Sequence, residues 1–326
     1  MALRRPLAAC HNKRVPSWDP LGDNLIFILS QPRAGSTLLQ KILGSHPEIH
    51  TLAEPWIALH PLFGLRERGI AADYHARLAL TAVEGFLAVL PEGEEAWWEG
   101  VRRMLGHLYE RALAPSGKRI FLDKTPRYYF ILFELRRVFP RARFVFLLRH
   151  PLAVLASVID TWAADDSIEN LRYFRHDLAV APGRLVEALA SAGANDAVLH
   201  YEDLAARPEA TIEHLCAALG IAFDPAMLRY GASEAGKARF ALGDTGTVHR
   251  EERPIAGRID RWRATLDSPR RRQWAAGYLR SLGPEIVAAM GYSYEEMERC
   301  YPPCPGYEEA WAEIVRSAAS VRSAHA

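Results

Sequence analysis

Asn24-Leu25-Ile26-Phe27-Ile28-Leu29-Ser30-Gln31-Pro32-Arg33-Ala34-Gly35-Ser36-Thr37-Leu38 decides how the chain folds. The unbroken apolar run from Leu25 to Leu29 predicts a short strand covered on both faces. Pro32 and Gly35 mark a tight turn, and an apolar pattern of helical period opens at Leu38 and Leu39. A strand that passes through a glycine-bearing turn into a helix aims backbone N–H groups and the positive helix end at an anion.

Against the triphosphate-binding pattern Gly-x-x-x-x-Gly-Lys-Ser/Thr, Gly35 and Thr37 match, Ser30 stands at the first glycine, and Ser36 replaces the lysine. That lysine reaches the β- and γ-phosphates, so its replacement argues against an ATPase or kinase. The cation sits inside the loop instead, as Arg33. The turn predicts a site for a phosphate-like group other than a triphosphate.

Charge places any such site locally. The 326 residues carry a net charge of +1, with 49% apolar and 24% charged residues. That balance fits a globular protein with a full core and gives no general pull toward nucleic acid or a membrane surface. The N-terminus holds Arg4, Arg5, Lys13 and Arg14 without the apolar run of a signal peptide. No stretch approaches the roughly 18 to 20 apolar residues of a membrane span. With the starting Met, these features predict a cytoplasmic protein. Cys10, Cys216, Cys300 and Cys304 are expected as reduced thiols, and no Cys/His partners at metal spacing flank Cys300 and Cys304, so no metal is expected.

Strand-like runs recur at 25–29, 119–122, 143–148 and 197–200. Helical patterns lie at 36–45, 72–90, 94–113, 127–138, 151–163, 168–192 and 208–219, with Pro151 and Pro208 at helix starts and Gly220 just past a helix end. The alternation predicts an α/β fold, a doubly wound parallel sheet flanked by helices. No linker composition divides the chain, so residues 1–326 are expected to form a single domain with its core at about 20–295. The tail 300–326 has no assignable chemistry. The Gly- and charge-rich stretch 231–257 reads as a binding loop.

Further basic residues fall at strand ends. Arg149 closes the run 143–148, with Ser157 two helical turns into the next element, and Lys124 follows the run 119–122 in Asp123-Lys124-Thr125-Pro126. Arg149 alone could cap a helix or pair with a surface acid, and Lys124 alone could be a solvated lysine. With Arg33, they place a cation at each of three strand ends, where open α/β sheets bind ligands.

On these residues the chain resembles the sulfotransferases that use 3′-phosphoadenosine 5′-phosphosulfate (PAPS). Gln31 through Leu38 is similar to that family's 5′-phosphosulfate loop, and Arg149 with Ser157 to its 3′-phosphate pair. Tyr201-Glu202-Asp203-Leu204 resembles the segment whose Tyr contacts the nucleotide. The small-molecule branch carries Lys-Thr-His with a catalytic histidine, whereas this chain reads Lys124-Thr125-Pro126. It is more similar to the tyrosylprotein, carbohydrate and bacterial branch, whose His-Pro pair and later glutamate correspond to His46-Pro47 and Glu54. Arg261-Trp262 resembles a basic-Trp pair near the 3′-phosphate site, and Gly243, Asp244 and His249 loosely resemble a pattern of some bacterial members.

The resemblance implies a P-loop-like sulfotransferase fold, PAPS as cosubstrate with no metal, and in-line sulfuryl transfer to a hydroxyl. It implies nucleotide contacts from Arg33, Ala34, Gly35, Ser36, Thr37, Leu38, Arg149, Ser157, Tyr201 and Arg261, and catalysis by Glu54, Arg33 and Lys124. Glu54 is the expected base; a structural acid at Glu54, or His60 or His249 as base, are the alternatives. A kinase-like phosphotransferase and a non-catalytic nucleotide-binding relative are the alternative functions. Acceptor identity stays open among small molecules, natural products, carrier-bound polyketides, sugars, lipids and tyrosyl peptides, as does oligomeric state. Trp56 is an expected acceptor contact, while Trp97-Trp98, in a helical pattern, reads as packing.

Overall fold

The computed structural model describes residues 17–52, 54–232 and 259–316. Five parallel strands form one sheet: β1 (Leu25–Ser30), β2 (Ile49–Thr51), β3 (Ile120–Lys124), β4 (Arg143–Leu148) and β5 (Asp196–His200), in the order β2-β3-β1-β4-β5. The α/β sheet expected from the alternation of runs is therefore present. β1 lies at its centre, between β3 and β4. The chain winds to one side of β1 and then to the other, which makes the carboxyl end of β1 the switch point where such sheets bind ligands.

β1 is buried at every position, as its unbroken apolar run requires. On one face the Phe27 ring stacks on Phe144 at 5.5 Å and Phe139 at 6.1 Å, and meets Tyr109 edge-on at 6.1 Å. On the other, Ile26 and Ile28 pack with Leu39, Ile42 and Leu43 of the helix Ser36–Gly44. Truncating a ring such as Phe27 to alanine costs about 3–5 kcal/mol, so the platform under the turn is rigid.

β2 is absent from the sequence reading because it is a three-residue edge strand, Ile49-His50-Thr51. It matters for the site, since the segment leaving it carries Glu54. The 168–192 pattern breaks into three helices, Ile168–Tyr173, Arg175–Ala179 and Ala181–Leu189. Phe174, at the first break, stacks on Trp162 with ring centres 4.0 Å apart. The helix Pro269–Ala289, interrupted at Gly283 (φ 74°), was also not expected. Its Gly277 takes the tail helix Tyr307–Val315 at close range: a Cβ there would lie 2.4 Å from the Trp311 Cβ. Trp274, Tyr278 and Trp311 thus build a second core. Trp98 is buried in the first, as packing requires.

Candidate active site

The turn after β1 has two residues in the left-handed region, Arg33 (φ 71°) and Gly35 (φ 97°). Gly35 precedes the helix Ser36–Gly44, which has neither a capping side chain nor an acid in its first turn. The first amides of a helix have no intrahelical acceptor, so this helix start presents N–H groups and positive potential together. Glycine is required at 35 for a second reason: a Cβ would lie 2.5 Å from Tyr201 Cδ2.

The end of β3 delivers Lys124 to the same place. Its ammonium, 1% exposed, donates to Glu54 Oε1 at 2.7 Å and to Thr37 Oγ1 at 3.3 Å. Glu54, 10% exposed, also accepts from the Trp56 indole N–H through Oε2 at 3.1 Å. Gln40 braces the segment from below, donating to Thr51 Oγ1 at 2.8 Å and the Leu52 carbonyl at 2.7 Å. One cation therefore joins the glutamate of the β2 segment to the start of the first helix.

On the β4 side, Arg149 Nη1 donates to the Arg33 carbonyl at 2.8 Å, fixing the left-handed turn. Its guanidinium lies 4.2 Å above the Tyr201 ring, so Tyr201 packs between Arg149 and Gly35. Burial lowers the Arg149 pKa from its usual value, and its Nε is buried with no hydrogen-bond partner among the described residues. Arg33 Nε donates to Ser157 Oγ at 3.1 Å. Ser157 thus pairs with the loop arginine. Glu202 fixes the base of this corner, accepting from the His150 amide at 3.0 Å and the Tyr292 hydroxyl at 2.7 Å. The His150 ring stacks on Trp262 at 4.5 Å.

Residues 25–225 match the family model described as "Sulfotransferase family". The chain belongs to this family. Nodulation protein NoeE of Sinorhizobium fredii is 31% identical over 229 residues, covering 64% of this chain and 52% of NoeE, so the chain spans about half of that relative. Among solved structures, the sulfotransferase domain from the curacin biosynthetic pathway aligns with a TM-score of 0.52 at 21% identity, covering 82% of this chain and 97% of that one. The sulfotransferase domain of the Synechococcus PCC 7002 olefin synthase gives 0.52 at 24% identity, covering 82% and 93%. Both share the fold.

In this family member Arg33, Thr37, Glu54, Lys124, Arg149, Ser157 and Tyr201 converge through the contacts above. His60 is exposed on the short helix Leu59–Leu62. Arg261 is exposed, and its neighbour Trp262 is the residue that reaches the site's edge. Gly243, Asp244 and His249 lie outside the described residues. Three further participants have no place among the residues expected from the sequence. Arg127 forms a two-pronged pair with buried Asp177, with Nη2 to Oδ2 at 2.8 Å and Nε to Oδ1 at 3.1 Å. Asp123, fully buried, accepts from the hydroxyls of Tyr109 (2.6 Å), Thr125 (2.9 Å) and Tyr128 (3.1 Å). Arg127 follows Lys124-Thr125-Pro126 closely enough to be suspected, but Asp177 lies 50 residues away and has no local signal.

Proposed function

We propose that this sulfotransferase moves a sulfuryl group from PAPS to an acceptor hydroxyl by in-line transfer. The observation that carries the proposal is the buried lysine shared by Glu54 and Thr37. A hydroxyl attacking sulfur needs a base on one side and positive charge at the oxygens of the transferred and leaving groups on the other. Glu54 is the base in this reading, a role supported by the bonds from Lys124 and Trp56 that orient its two oxygens. Lys124 stands between base and helix start, where it can neutralise the group in transit.

The other residues fit a nucleotide with two anionic ends. Amides of the turn and first helix turn, from Ala34 to Leu38, suit a 5′-phosphosulfate, with Arg33 beside them. Arg149 and Ser157 suit a 3′-phosphate, and the buried Arg149 Nε without a protein acceptor supports an anion there. Tyr201 closes the Gly35 cradle, and Arg261 is assigned to the outer edge. Bound PAPS supplies the sulfuryl group and its leaving phosphate. Position and charge dominate this kind of transfer, and these side chains supply both.

Incubation with sulfur-labelled PAPS and a panel of hydroxyl acceptors tests the function. Label should appear on an acceptor with the mass gain of one SO3 group. Transfer of phosphate from labelled ATP, with none from PAPS, would overturn the proposal.

A further inference from the structure

We propose that Tyr128 and Asp123 are positioning residues, which hold the segment carrying Glu54 in place against Lys124 through the Ala58 amide. Their role rests on the sulfuryl-transfer function above, with Glu54 as base. Both side chains are fully buried, beneath the site rather than in it.

Three successive residues of β3 hold that segment at three points. The Leu122 carbonyl accepts from Thr51 Oγ1 at 2.8 Å. The Lys124 ammonium donates to Glu54 Oε1 at 2.7 Å. Between them Asp123 points to the other face of the sheet, beside its register partner Phe27, and acts through Tyr128. The Tyr128 hydroxyl donates to Asp123 Oδ2 at 3.1 Å and accepts from the Ala58 amide at 3.3 Å. Ala58 lies four residues beyond Glu54, at the start of the short helix Leu59–Leu62. Thr51 and Ala58 thus fix the chain on both sides of Glu54, and each is tied to the strand that supplies Lys124.

The polarity of the chain of bonds is forced. A hydroxyl has one proton to give, and Asp123 takes those of Tyr109, Thr125 and Tyr128. With its proton committed, the Tyr128 oxygen faces Ala58 as an acceptor, which is what an amide N–H requires. An asparagine at 123 has one acceptor oxygen and cannot accept at both positions, so the Tyr128 hydroxyl would be free to turn. Only the ionised carboxylate sets all three hydroxyls one way.

Such a carboxylate is a poor choice for stability alone. Burial raises its pKa to about 6, so keeping it ionised opposes folding, and packed apolar groups fill such places at least as well. Its placement accounts for it. The carboxylate stands next to Lys124 in sequence and is wired to the stretch that carries Glu54. In-line transfer is sensitive to the distance these two residues set, since a misplacement of about 1 Å costs on the order of 100-fold in rate.

The test uses the full chain, sulfur-labelled PAPS and three probe acceptors: methyl β-D-glucopyranoside, 2-naphthol and hexan-1-ol. With the fastest of these, Tyr128→Phe should lower kcat about tenfold, while affinity for 3′,5′-adenosine bisphosphate stays within about twofold. Tyr109→Phe removes a donor from the same carboxylate oxygen but leaves the Tyr128–Ala58 bond, and should keep kcat within about threefold. In a Glu54→Gln background, Tyr128→Phe should cost less than about twofold, because it acts through Glu54; a merely structural role costs about tenfold in both backgrounds. Amide exchange reads the placement without an acceptor, and decides the matter if no probe is turned over. The peptide 54–62 should exchange about tenfold faster in Tyr128→Phe, with 25–40 unchanged. If Tyr128→Phe does not fold, Asp123→Asn carries the same measurements. Unchanged kcat, equal losses in the two backgrounds, or unchanged exchange at 54–62 overturns the positioning role. Near-wild-type turnover by Glu54→Gln would instead remove Glu54 as base, and failure of the wild type to bind the bisphosphate would sink the sulfuryl-transfer function.

Discussion

Lys124 Nζ lies 2.7 Å from Glu54 Oε1, the lysine side chain 1% and the glutamate 10% exposed. Two segments remote in sequence, the end of β3 and the exit of β2, are locked by this pair at the mouth of the first helix. Removing one partner of a buried pair leaves an uncompensated charge at a cost of about 3–5 kcal/mol, whereas an amide substitution keeps shape and a hydrogen-bond acceptor.

Glu54→Gln therefore separates catalysis from structure. Transfer should fall about 100-fold or more, the size of a lost general base, with nucleotide affinity retained. Glu54→Ala should in addition lower the melting temperature. Near-wild-type turnover by Glu54→Gln would place the base elsewhere.

Arg149 bonds the Arg33 carbonyl and stacks on Tyr201. A lysine has neither the planar fork nor the stacking face. Arg149→Lys should weaken 3′,5′-adenosine bisphosphate binding about tenfold or more by calorimetry, almost as much as Arg149→Ala. Full rescue by lysine would show that Arg149 acts as a simple point charge.

Gly35→Ala places a methyl 2.5 Å from Tyr201 Cδ2 at φ 97°. Left-handed strain alone costs about 1–2 kcal/mol, and the Tyr201 ring must also move. Both melting temperature and nucleotide affinity should drop; unchanged affinity would show that the turn does not hold the nucleotide.

These relationships were unevenly legible in the sequence. β1, the turn and Lys124 announced themselves because a doubly covered strand needs a continuous apolar run and its exit needs glycine. β2 did not, since His50 and Thr51 on a three-residue edge strand give no period to read. The Lys124–Glu54 contact depends on where β2 pairs with β3, which no local pattern encodes. The pairing of Arg127 with Asp177 and the stacking of Phe174 on Trp162 are likewise long-range packing, which the continuous helical pattern at 168–192 does not encode.

Two buried groups set opposing pH responses. Burial, with Arg263 and Arg149 nearby, lowers the His150 pKa from 6.5 to about 4. The unfolded chain takes that proton first, so the stability from neutral His150 is complete above pH 6.5 and lost toward pH 4, by about 3 kcal/mol. Burial raises the Asp123 pKa from 3.8 to about 6. Here the folded chain takes the proton first, and stability grows by about 3 kcal/mol as pH falls from 6 toward 3.8. Between pH 6 and 4.5 the two nearly cancel. Relative to wild type, His150→Phe should gain melting temperature on acidification across this window and Asp123→Asn should lose it. Identical slopes in all three proteins would contradict both assignments.

The central claim is that the lysine-free turn, with Lys124 and Arg149 arriving from β3 and β4, binds a 3′-phosphorylated adenosine nucleotide rather than a triphosphate. Thermal melting with 3′,5′-adenosine bisphosphate and with ATP tests it most directly. Saturation at about a hundredfold excess over Kd adds about 2.7 kcal/mol. The bisphosphate should therefore raise the melting temperature by several degrees while ATP leaves it in place. A shift with ATP and none with the bisphosphate would contradict it.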